Sequence, residues 1–132
     1  MNFFSKIFNQ NDAKSINSSN YYIKTPNQWQ HLFETSKEKA VIVFKHSERC
    51  SISRWVWKQF EQAYDISENL ATLHLVDVVS DREISQGIAT DLNILHQSPQ
   101  VLVIYNKKCL YHASHESIQF DQVKRLIETL TA

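Results

Sequence analysis

Val41-Ile42-Val43-Phe44-Lys45-His46-Ser47-Glu48-Arg49-Cys50-Ser51-Ile52-Ser53 passes from an apolar run into an amphipathic one. Ala40 to Phe44 is continuous and carries β-branched residues, the pattern of a central strand covered on both faces. Beyond it Ile52, Trp55, Val56, Phe60, Ala63 and Tyr64 recur at helical spacing. Cys50 falls where the strand gives way to the helix.

The alternation extends in both directions. Tyr21-Tyr22-Ile23 reads as a short strand. Thr25-Pro26-Asn27-Gln28 then supplies a cap, a first-turn proline and an amide at the capping-box position. A helix bearing Trp29, Leu32 and Phe33 is expected to follow. Leu70 to Val79 is a second strong strand, and Ser80-Asp81-Arg82-Glu83 reads as a capping box before a helix with Ile84, Ile88 and Leu92 on one face. Ser98-Pro99 precedes the apolar run Gln100 to Tyr105. Asn106-Lys107 turns the chain into a hairpin with Lys108 to Ala113, and a last helix, about 117–130, carries Phe120, Val123, Leu126, Ile127 and Leu130. Strands separated by helices imply parallel crossovers, and the hairpin adds an antiparallel pair. The order β-α-β-α-β-α-β-β-α predicts an α/β, thioredoxin-like fold: a central mixed sheet of four to five strands with helices on both faces.

A chain of 132 residues can bury one core without staples. Phe3, Phe4, Ile7 and Phe8 form an apolar cluster far below the roughly 20 residues that span a bilayer, so no transmembrane segment is expected. Asn9 to Asn20 is rich in Asn, Ser, Asp and Gln, which makes residues 1–20 an expected flexible segment and 21–132 the folded domain. Fourteen Lys and Arg balance fourteen Asp and Glu, which speaks against a nucleic-acid partner. Two cysteines are too few for a disulfide framework and no export signal is visible, so the expected compartment is the cytoplasm.

A thiol attacks disulfides as thiolate, and unpaired N–H groups with the macrodipole at a helix start favour that anion. His46, Arg49 and Arg54 would add positive charge, and Ser53 could donate a hydrogen bond from one turn along. Sulfurs at such junctions usually have a second cysteine in Cys-x-x-Cys; here Ser53 holds that position, which points to one-cysteine chemistry. A merely space-filling cysteine fits less well between Arg49 and Ser51. His46 and Cys50 are four apart, but no second Cys/His pair completes a metal site, and no tightly bound cofactor is expected. In this fold the loop before the hairpin approaches the cysteine. A cis Pro99 would expose the backbone of Ser98 for pairing with an extended substrate. Trp55 fits the core stripe, whereas Trp57 lies off it as a candidate substrate platform. Cys109, in mid-strand, reads as packing rather than as a resolving thiol. His112 and His115 have no partner evident.

Four segments together resemble the monothiol bacilliredoxin-like proteins of the bacterial bacillithiol system: Phe44-Lys45-His46-Ser47, Cys50-Ser51-Ile52-Ser53, His96-Gln97-Ser98-Pro99-Gln100-Val101 and His112-Ala113-Ser114-His115. The resemblance implies a thioredoxin fold and removal of a low-molecular-weight thiol, bacillithiol or similar, from protein mixed disulfides. Cys50 would be the nucleophile, S-thiolated proteins the clients and the small thiol the co-substrate. The family usually has proline directly after the cysteine; Ser51 stands there, placing a hydroxyl near the sulfur. The rival reading is a thioredoxin-fold interaction module that binds partners without turnover, marked by slow alkylation of Cys50 at pH 6. A glutaredoxin-like cluster carrier fits least, since Gly87 is the single glycine.

Overall fold

A computed structural model describes residues 21–132, so the expected flexible segment 1–20 lies outside the described residues. Helix α1 (Pro26–Thr35) begins as its sequence requires: Thr25 Oγ1 accepts from Gln28 N–H, and the Gln28 side chain accepts from the Thr25 N–H. Strand β1 (Ala40–His46) follows, then α2 (Ser51–Ala63), β2 (Ala71–Asp77), α3 (Arg82–Leu92), the hairpin β3 (Gln100–Tyr105) and β4 (Lys108–Ser114), a 3₁₀ turn (His115–Ser117) and α4 (Phe120–Leu130). The sheet has four strands in the order β2-β1-β3-β4. β1 runs parallel to β2 and antiparallel to β3, and β3 is antiparallel to β4. The hairpin turns through Asn106 and Lys107, both at positive φ (52° and 62°), which matches the twist of the flanking strands.

Three expectations are corrected. Tyr21-Tyr22-Ile23 is not a full strand but a single parallel bridge, Tyr22 to Leu75, beside the outer edge of β2. Ser80 does not cap α3: the cap residue is Asp81, without a side-chain cap bond, and the carboxylate of Asp77 takes the Val79 and Ser80 N–H groups instead. The last helix starts at Phe120, because the chain first makes the 3₁₀ turn.

The sheet divides the core in two. Ile42 and Phe44 of β1 meet Val56, Phe60 and Tyr64 on the α2 side and Val123 and Ile127 of α4. Val41 and Val43 meet Trp29 of α1 and Ile84 and Ile88 of α3 on the other face. All seven β1 residues are therefore buried, which explains the unbroken apolar run. The strand outlasts that run by two polar residues, since Lys45 and His46 are as buried as their neighbours.

His74 in β2 gives this fold an acid-sensitive point. Burial pushes its imidazole down to about 4, while an unfolded chain binds the proton near 6.5. Its full contribution is present above pH 6.5 and is lost as the pH falls toward 4, an effect of about 2–3 kcal/mol. Urea unfolding of wild type and His74→Gln across pH 4–7 measures it. Parallel slopes for the two proteins would show that the acid loss comes from elsewhere.

Candidate active site

The carboxyl ends of β1 and β2 and the amino end of β3 share one edge of the sheet, since His46 pairs with Asp77 and Lys45 with Gln100. Cys50 stands just beyond it as the N-cap of α2, with extended backbone (φ −103°, ψ 120°). Its Cα is tied in by Cys50 N–H to Ser47 O (3.3 Å) and Arg54 N–H to Cys50 O (3.0 Å). The thiol is exposed and makes no cap bond. An accessible sulfur at the positive end of a thirteen-residue helix is suited to nucleophilic attack.

Behind it lies a hydrogen-bond chain. Ser53 Oγ accepts from Ser47 N–H (2.9 Å) and contacts His46 Nδ1 (3.0 Å); His46 Nε2 reaches Glu48 Oε1 (3.1 Å). The carboxylate accepts, so Nε2 carries a proton. Glu48 also hydrogen-bonds Tyr22, whose phenol burial and the Glu48 charge push up in pKa. Arg54 donates to the Glu48 carbonyl (2.6 Å). The expected roles shift accordingly. Ser53, wholly buried, faces the strand and not the sulfur; it locks the 47–50 loop to β1. His46, 1% exposed, is the hub of that lock. Arg49 and Ser51 flank Cys50 and are exposed, and their side chains make no hydrogen bond or ion pair among the described residues. Glu48 and Tyr22 were not singled out from the sequence, and Arg54, expected to add positive charge near the sulfur, instead holds the Glu48 carbonyl.

Ser53→Ala would strand a buried N–H and a ring nitrogen. A loss of about 2–4 kcal/mol is expected, measured as a drop in urea midpoint. An unchanged midpoint would show that water or a loop shift replaces the serine.

The tryptophans exchange places relative to the helical reading. Trp57 is half-buried, its ring 4.9 Å from Phe44 edge-on and 6.2 Å from Phe60. Trp55 is 63% exposed and Ile52 61%. Val56, Phe60 and Tyr64 of the expected stripe are buried, but Ile52, Trp55 and Ala63 face outward and Ser53, bonded to His46, takes the inward place at the start of the helix. Trp57 thus packs against the core, and the exposed tryptophan of α2 is Trp55.

The loop before β3 comes to the same edge. The Ser98–Pro99 bond is cis, Pro99 is buried and its carbonyl accepts from His115 N–H (3.0 Å). Ser98 Oγ is buried without a hydrogen-bond partner among the described residues. Gln100, also buried, grips the loop: its amide donates to Leu95 O (3.1 Å) and accepts from Gln97 N–H (3.3 Å). Its register partner Lys45 donates to Ser85 O (2.9 Å) and contacts His96 Nδ1 (3.1 Å). A lysine and a glutamine opposite each other in an otherwise apolar central pair were the available signal for this brace.

Cys109 is remote. It pairs with Ile104, which pairs with Val41 at the start of β1, roughly 16 Å along the strand from His46. That is far beyond the roughly 7 Å limit between bridged Cα atoms, so Cys109 cannot resolve a disulfide at Cys50. Its thiol donates to Tyr111 O (3.2 Å), and burial raises its pKa.

Residues 21–123 match the family described as monothiol bacilliredoxin BrxC. The chain belongs to that family. Among solved structures it is similar to a thioredoxin-fold protein assigned as an oxidoreductase (26% identity, TM-score 0.67, 86% of this chain and 99% of that one). It shares the fold of a Malassezia sympodialis thioredoxin (16%, 0.63, 84% and 90%) and of a reduced Schistosoma mansoni thioredoxin pre-protein (21%, 0.58, 82% and 94%). Membership of the bacilliredoxins and the oxidoreductase fold support a redox role. No helix among the described residues is long and apolar enough to cross a membrane.

Proposed function

We propose that the protein is a cytoplasmic monothiol disulfide oxidoreductase that removes a low-molecular-weight thiol, bacillithiol or similar, from S-thiolated client proteins. The observation that carries this is the exposed Cys50 at the α2 cap, with a serine at the second position of the motif. The Cys50 thiolate attacks the small-thiol sulfur of the mixed disulfide. A new S–S bond forms to Cys50, the client leaves as thiolate and takes up a proton. A second small-thiol thiolate then attacks that sulfur, releasing Cys50 thiolate and the symmetrical small-thiol disulfide. Each step exchanges one disulfide for another: the client sulfur is reduced to a thiol, the second small thiol is oxidised, the transferred one stays at the disulfide level, and no tightly bound cofactor takes part.

The surface around Cys50 supports client docking. Ile52 and Trp55 on α2, Val79 after β2 and Leu95 before β3 are exposed apolar side chains from elements meeting at this edge. Ser98 and Pro99 would bind the client backbone there. Intact mass after mixing with a bacillithiolated protein tests the reading: the client should lose one bacillithiol and this protein gain one, mapped to Cys50. Transfer absent from Cys50 would end it.

A further inference from the structure

Lys45 takes no part in the chemistry above, yet its side chain is fully buried. Its partners, Ser85 O and His96 Nδ1, are uncharged, and none of the ion pairs among the described residues includes it. A buried ammonium without a carboxylate is costly and leaves its field uncompensated.

That field emerges at His96. Lysine only donates, so Nδ1 accepts, and in the neutral ring the proton sits on Nε2. Ser85 Oγ lies 3.1 Å from the same Nδ1, which fixes the ring further. His96 is exposed, and its Nε2–H makes no hydrogen bond among the described residues. Burial, with the charges of Lys45 and Arg82, lowers its pKa and keeps the ring neutral at pH 7. Both charges reaching this ring are positive. Asp81, next to Arg82, is engaged by Lys24 at 3.3 Å.

We propose that Lys45, His96 and Arg82 form an anion subsite that takes a carboxylate of the small thiol. The assignment to a thiol rests on the function proposed above. The position suits it: Lys45 is the penultimate residue of β1, and His96 lies three residues before Pro99. The subsite is on the α1/α3 side of the strand ends, and Cys50 opens the helix on the α2/α4 side. A thiol lying across that edge presents sulfur to Cys50 and carboxylate to His96 Nε2–H and Arg82, with Lys45 supplying charge from behind.

The test uses S-methyl-mercaptosuccinate, which carries two carboxylates and cannot react, and its dimethyl ester. Titrations are followed by ¹H–¹⁵N spectra of the imidazoles, the Arg82 side chain and the backbone of the full chain. The diacid should move His96 and Arg82 resonances, and the ester should not. Arg82→Gln, an exposed change, and Lys45→Met, which replaces a buried charge by an apolar chain of similar length, should each weaken binding about tenfold. Equal shifts with diacid and ester, no shifts, or unchanged affinity in folded variants would overturn the subsite. A thiol-free acidic peptide that binds the same resonances more tightly would give the site to the client and overturn the small-thiol assignment. Because the thioether is inert, these shifts are independent of turnover; failure of client dethiolation would sink the enzymatic reading while leaving them in place.

Discussion

Cys50→Ser is expected to bring client dethiolation down to the rate of the small thiol alone. A hydroxyl at this position is not appreciably ionised and cannot form a mixed disulfide, so the covalent step is removed rather than slowed. The side chain is exposed and makes no hydrogen bond, which makes the exchange of sulfur for oxygen structurally quiet. Stability should stay within about 0.5 kcal/mol of wild type, as for surface substitutions generally. The pairing of intact fold with lost transfer is what separates a nucleophile from a packing residue. Cys109→Ser should keep single-turnover transfer, because that thiol lies at the other end of the sheet. Dethiolation by Cys50→Ser at the wild-type rate would remove Cys50 from the mechanism.

Phe44→Ala is expected to cause the largest loss of stability of the substitutions considered, about 3–5 kcal/mol, or a fall in Tm of roughly 12–25 °C. Phe44 is wholly buried at the centre of an aromatic group: Trp57 lies 4.9 Å away, Phe60 5.2 Å, and Phe60 in turn meets Phe120 at 5.4 Å edge-on. Truncation would leave a cavity between β1 and α2, the two elements that flank the Cys50 loop. Calorimetry with tryptophan fluorescence measures the effect, since Trp57 should become more solvent-exposed. A Tm change under about 5 °C would mean that the aromatic group collapses onto the gap.

Much of this could be read along the chain, because strand burial and helix starts are local. The capping box at Thr25 and the turn at Asn106-Lys107 are contained within a few residues, and both formed where their side chains require. The unbroken apolar run of β1 predicted a central strand, and Cys50 opens a helix as its position before Ile52 suggested. Ser80 shows the limit of such motifs: Asp77, three residues back, competed for the same loop N–H groups and took them.

The sequence by itself determined the kinds and order of the elements and the junction that holds the single motif cysteine. Those follow from hydrophobic period and backbone preference, which act over one or two turns. Tertiary structure alone decided the rotation of α2, which turned Trp57 inward and Trp55 out, the inward role of Ser53 and the separation of Cys109 from Cys50. It also decided the burial of Lys45 against Ser85 and His96, 40 and 51 residues away. A helical pattern fixes a stripe only to within about one residue. Its final phase, and the partners of buried polar groups, are set by hydrogen bonds that exist only once distant elements have packed.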